Sequence, residues 1–155
     1  MYKDYPRFYN YEVLEYDRKS RSDDPLLSVE EVLEKHGKIL EEYAINNLGG
    51  PIPEENKYKE VGSAESLDGR PEILRLFKAV ESPGIKAIMV VDVQRLSRGD
   101  LEDAGRIIKI LRYTNTYVIT PHKTYDLRDE YGAEIEKGLQ YHVSPYKIKL
   151  KLKCE

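Results

Sequence analysis

The chain has 155 residues, of which 40% are hydrophobic and 34% charged, with a formal net charge of −3. This is the balance of a soluble globular protein long enough to bury one real core, and whole-chain charge does not announce a nucleic-acid binder, so any basic footprint must be local. A single cysteine, Cys154, excludes a disulfide framework and makes the cytosol the expected compartment. No apolar run approaches a membrane span, and the start MYKDYPRFYNYE is unlike a signal peptide.

Residues 11–17 alternate apolar and polar, which predicts a strand. Ser28 followed by Glu31 has the form of a capping box, and Val29, Val32, Leu33, Ile39, Leu40 and Tyr43 recur at helical spacing. A helix is expected over about 29–46, ended by Gly49, Gly50, Pro51 and Pro53. A short strand at 57–61 and a small-residue loop, GSAESLDG at 62–69, come next. Pro71 suits the first turn of a second helix with Ile73, Leu74, Leu76, Phe77 and Val80 inward. The run IKAIMVVDV, 85–93, is nearly all apolar, as in a strand covered on both faces. RLSRGD leads to a third helix, which Asp100 can cap and whose stripe is Leu101, Ala104, Ile107, Ile108 and Leu111; TYVIT, 116–120, is another strand. YKIKLKLK, 146–153, reads as an edge strand or a frayed tail. The order β-α-β-α-β-α-β predicts an α/β three-layer sandwich around a mostly parallel sheet of four to five strands. Sites in such folds lie at the carboxyl ends of the strands, where the cationic clusters 18–21 and 95–98 both fall.

The chemistry available there is a serine among arginines. Ser20 lies between Arg18 and Arg21, and Arg70, Arg95 and Arg98 are expected near the same sheet edge. Guanidinium groups bind phosphate oxygens two at a time and stay charged, which suits phosphoryl transfer. Taken singly, each arginine reads as a surface ion pair and Ser20 as a turn hydroxyl. The histidines His36, His122 and His142 show no triad spacing, there is no G-x-S-x-G elbow, and the lone cysteine with scattered histidines lacks metal-ligand spacing. No metal and no cofactor are expected.

YDRKS (16–20), ESLDGRP (65–71) and DVQRLSRGD (92–100) together resemble the catalytic domain of serine recombinases, the resolvases, invertases and large serine integrases, with the large-integrase branch the nearer likeness. The resemblance covers about residues 11–127 and implies a resolvase-like catalytic domain over 1–127, with 128–155 a divergent or truncated segment and no DNA-binding domain. It implies that Ser20 attacks a DNA phosphodiester to leave a 5′-phosphoserine joint. Arg18, Arg70, Arg95 and Arg98 would serve the transition state. Glu60, Ser63 and Gln94 fall near positions that contact phosphate. Relatives often place aspartate where Gln94 stands; here the acid is Asp92, the better candidate to orient the arginines. Val32 replaces a common glutamine and is expected to be buried. The implied partners are double-stranded DNA attachment sites and further copies of the chain, as a dimer or tetramer held by faces such as 101–112. The implied setting is a bacterial or phage-borne, nucleoid-associated protein. Two other functions fit the residues less well: a non-catalytic oligomerisation or regulatory remnant of a recombinase, and a phosphoester hydrolase using the same anion site.

Overall fold

The computed structural model describes residues 7–20, 23–61, 70–96 and 101–127. Strands β1 (Val13–Arg18), β2 (Lys57–Glu60), β3 (Ala87–Met89), β4 (Tyr117–Ile119) and β5 (Thr124–Tyr125) form one sheet in the order β2-β1-β3-β4-β5. The first four run parallel, and β5 turns back antiparallel against β4. Helices α1 (Val29–Asn47), α2 (Pro71–Ala79) and α3 (Leu101–Tyr113) make the connections. From β1 the chain steps out to β2, then returns past β1 to β3 and on to β4. Right-handed crossovers in these opposite directions put α1 on one face and α2 and α3 on the other. Accordingly Val13, Ala87, Met89 and Ile119 pack with Leu40 and Ala44 of α1, while Leu14, Tyr16, Ile88 and Val118 pack under α2 and α3. The α/β sandwich with a mostly parallel sheet is therefore the observed fold, with five strands. Among the described residues no helix is long and apolar enough to cross a membrane.

The capping box forms as the sequence predicts. Glu31 N–H donates to Ser28 Oγ and Ser28 N–H to Glu31 Oε1, both at 3.1 Å. Gly49, at φ +85°, ends α1 in the left-handed region that a side chain would strain, and Gly50 N–H returns to the Ala44 carbonyl at 3.4 Å. The inward stripe of α1 is Val32, Leu33, His36, Leu40 and Ala44. Ile39, expected inward, is 41% exposed, and Leu74 of α2 likewise faces out.

Two strands depart from the sequence reading. β1 starts at Val13, after a single 3-10 turn at Asn10–Glu12, and all six of its residues are buried. Because β1 lies between β2 and β3 with helices over both faces, its polar residues do not reach solvent; Glu15 and Asp17 lie inside. β3 covers only three residues of the apolar run 85–93. Ile85 belongs to a turn, bonding Ser82 O, and beyond Val90 the chain coils into a 3-10 turn at Val93–Arg95. Val91 and Val93 pack against the cores without joining the ladder. The loop 62–69 and the segment 128–155, including 146–153, lie outside the described residues.

Candidate active site

β1 is where the sheet's winding reverses, so the connections leaving the carboxyl ends of β1 and β3 diverge and leave a crevice between them. Three segments meet there: Arg18, Lys19 and Ser20 from β1, Asp92–Leu96 after β3, and Arg70 just before α2. Ser20 is 7% exposed, Arg18 1%, Arg95 5% and Arg70 0%. Buried arginines need partners, and these divide the work differently.

Arg18 stitches the two loops together. Its Nε donates to the Arg95 carbonyl and its Nη2 to the Gln94 carbonyl, each at 2.9 Å, and Nη1 reaches the Lys19 carbonyl at 3.3 Å. Arg95 Nη1 donates back to the Arg18 carbonyl at 3.2 Å. Asp92 caps the 3-10 turn, its Oδ1 accepting from Gln94 N–H at 3.1 Å and its Oδ2 from Arg95 Nε at 3.2 Å. Arg70 donates through Nη2 to the Leu96 carbonyl at 3.2 Å, while its buried Nε and Nη1 have no hydrogen-bond partner among the described residues. Unsatisfied donors on a buried cation cost free energy until an anion meets them.

Two further residues belong to this site. Asp23 takes a bidentate grip from Arg95, with Nη1 on Oδ2 and Nη2 on Oδ1 at 3.2 Å, and its Oδ2 also accepts the Ser20 N–H at 2.8 Å. His36 reaches in from α1, with Nε2 3.5 Å from Asp23 Oδ1. Burial alone would raise the Asp23 carboxyl, but Arg95 and the Ser20 N–H outweigh it, and the net direction is down. His36 is pushed below its usual range, by burial first and then by Arg95, against the pull of Asp23. The sequence reading did not single out Asp23, and it set His36 aside for want of triad spacing. Asp23 sits three residues beyond Ser20, at turn spacing. His36 fits the stripe Val32, Leu33, Leu40 as an inward residue, a weak signal since such a histidine is usually core.

The other predicted positions fall as follows. Gln94 contributes its carbonyl to Arg18. Glu60, a candidate phosphate contact, turns its carboxylate to the start of α2 instead. Its oxygens accept the Glu72 N–H at 3.2 Å, the Ile73 N–H at 3.1 Å and the Tyr16 hydroxyl at 3.3 Å. Val32 is buried and His122 exposed. Ser63, Arg98, Arg21 and His142 lie outside the described residues.

Among solved structures, the N-terminal catalytic domain of TP901-1 integrase is similar at a TM-score of 0.62 and 18% identity, covering 91% of this chain and 98% of that one. The C-terminal catalytic domain of ISC1926 TnpA, an IS607-like serine recombinase, is similar at a TM-score of 0.53 and 21% identity, covering 79% of this chain and 74% of that one. At these identities the likeness establishes the fold, which is that of resolvase-like catalytic domains. The family described as "Resolvase, N terminal domain" matches residues 13–140, most of the chain and all of the described site, and the chain belongs to that family.

Proposed function

We propose that the chain is the catalytic domain of a site-specific DNA recombinase and that Ser20 is its nucleophile. The observation that carries this is a buried guanidinium, Arg70, with two N–H-bearing nitrogens unpartnered among the described residues, tied to the turn after β3 that also holds Arg18 and Arg95 beside Ser20. Serine Oγ attacks the phosphorus of a DNA strand, the Oγ–P bond forms and the P–O3′ bond breaks. The proton lost by the serine is balanced by the one gained at the 3′-oxygen. Neither water nor an external energy source enters, so the joint is religated by the reverse step, after exchange, on a new 3′-hydroxyl. Negative charge grows on the non-bridging oxygens, and Arg70 and Arg95 are the donors that meet it, while Arg18 holds their loops in register. Asp92 fixes Arg95 through Nε. Arg98 follows Leu96 in the chain, and we assign it to the transition state with Arg70 and Arg95; Ser63, which precedes Arg70, we assign a further phosphate contact. The catalytic unit is residues 1–127, with 128–155 a divergent continuation. Its partners are double-stranded attachment sites and further copies of the chain, as a dimer or tetramer.

The test joins the chain to a DNA-binding module of known specificity and offers a duplex carrying that module's site. A covalent protein–DNA species is expected, reduced at least a hundredfold in Ser20→Ala. Equal linkage by Ser20→Ala would sink the nucleophile assignment.

A further inference from the structure

We propose that the Asp23 carboxylate sits in the seat of the substrate phosphate and competes with it, an inference that rests on Ser20 being the nucleophile. The seat is built from the Ser20 N–H, both Nη groups of Arg95 and, at 3.5 Å, His36 Nε2. The donors come from β1's end and the turn after β3, with the His36 ring of α1 beside them, and they converge on one carboxylate that is only 12% exposed.

Three features identify the seat. A guanidinium presents two parallel N–H groups that fit the paired oxygens of a carboxylate and of a phosphate equally well. An Oγ poised to attack needs phosphorus about 3–3.5 Å away. Non-bridging oxygens at that distance come within reach of the same residue's N–H, which Asp23 now holds. Finally, Arg95 does not need Asp23 to keep its place, because Asp92 holds Nε at 3.2 Å and the Arg18 carbonyl holds Nη1 at 3.2 Å. With Asp23 present, Arg95 faces two carboxylates, and a phosphodiester brought to the same Nη groups would add a third anion. Exchanging Asp23 for the phosphate restores the count. Asp23 thereby sets how readily the site accepts a DNA phosphate.

A seat filled by its own carboxylate nine times in ten lowers apparent affinity about tenfold. The experiment titrates the labelled chain with inorganic phosphate and follows the Ser20 amide and Arg95 Nε–H resonances. In Asp23→Asn, which keeps shape and removes charge, phosphate is expected to bind about tenfold or more tightly, and adding Arg95→Gln to it is expected to abolish the gain. In the unaltered chain, phosphate should shift the Asp23 carboxyl carbon and the His36 ring together with the Ser20 amide. Equal or weaker binding by Asp23→Asn overturns the proposal. If that variant does not fold, the unaltered chain decides alone, and phosphate that leaves the Ser20 amide and Asp23 carboxyl unmoved overturns it. The two readings fail separately. Covalent DNA linkage through Ser20 with no gain in Asp23→Asn removes only the competitor, and phosphate displacing Asp23 without any linkage removes only the nucleophile.

Discussion

Arg18 and Arg70 are equally buried but differently employed. Arg18 satisfies three carbonyls from two loops, so truncating it leaves those acceptors unpaired as well as removing the charge. Among the described residues Arg70 bonds one carbonyl and carries two unpartnered nitrogens, a desolvated charge kept without full compensation. Replacing such a group by an apolar one of similar length is neutral or stabilising. Arg70→Met is therefore expected to keep or raise the thermal midpoint while cutting DNA linkage by about 2–4 kcal/mol of transition-state stabilisation. A midpoint that drops as far as in Arg18→Met would contradict that division of labour. A second residue-scale prediction concerns pH. On the α1 face of β1, burial and then the neighbouring Asp17 push the Glu15 carboxyl up from 4.5 to about 9, and burial raises Asp17 as well. The folded state thus keeps a proton that the unfolded chain releases above 4.5, and stability falls as pH rises from there toward about 9. Glu15→Gln is expected to flatten that decline, with thermal midpoints at neutral and alkaline pH rising toward the acid value. An unchanged slope would show that Glu15 does not hold the proton.

At the scale of elements, the link from β2 to α2 positions Arg70. Glu60, the last residue of β2, accepts the first free N–H groups of α2 and so ties the helix start to the sheet. Arg70 is held between that cap and the Leu96 carbonyl. Glu60→Ala is expected to cost about 1–3 kcal/mol, read from the urea midpoint, since it strips a cap and leaves the buried Tyr16 hydroxyl unpaired. No loss of stability would remove Glu60 from this role. The elements themselves were largely legible in the sequence where local chemistry sets them. Ser28, Glu31 and Gly49 marked the bounds of α1, because capping acts over a few residues. β1 and β3 were less so: which faces are covered, and where an apolar run leaves the ladder, depend on strands distant in the chain. The site followed the same division. Arg18, Ser20 and Arg95, which the structure brings together, were singled out because they fall at or beyond strand ends. Asp23 was not, because its partner Arg95 is 72 residues away. Glu60 was read toward phosphate when its oxygens serve a helix that begins eleven residues later, a contact no local pattern encodes.

For the whole molecule, the small net charge and the cationic site are compatible because the site's charges are compensated inside. Arg95 lies between Asp23 and Asp92, Asp23 faces the His36 ring, and among the described arginines Arg70 is left short of partners. The doubly covered sheet makes this possible by burying Arg18, Arg70 and Arg95 at the β1–β3 reversal, where low dielectric strengthens each of these contacts. The most direct measurement is to trap the covalent species, digest protein and DNA, and map the joint by mass spectrometry. A 5′-phosphate on the peptide containing Ser20, with a free 3′-hydroxyl on the cut strand, is the expected result. A joint on any other residue, or a 3′-phosphate linkage, would contradict it.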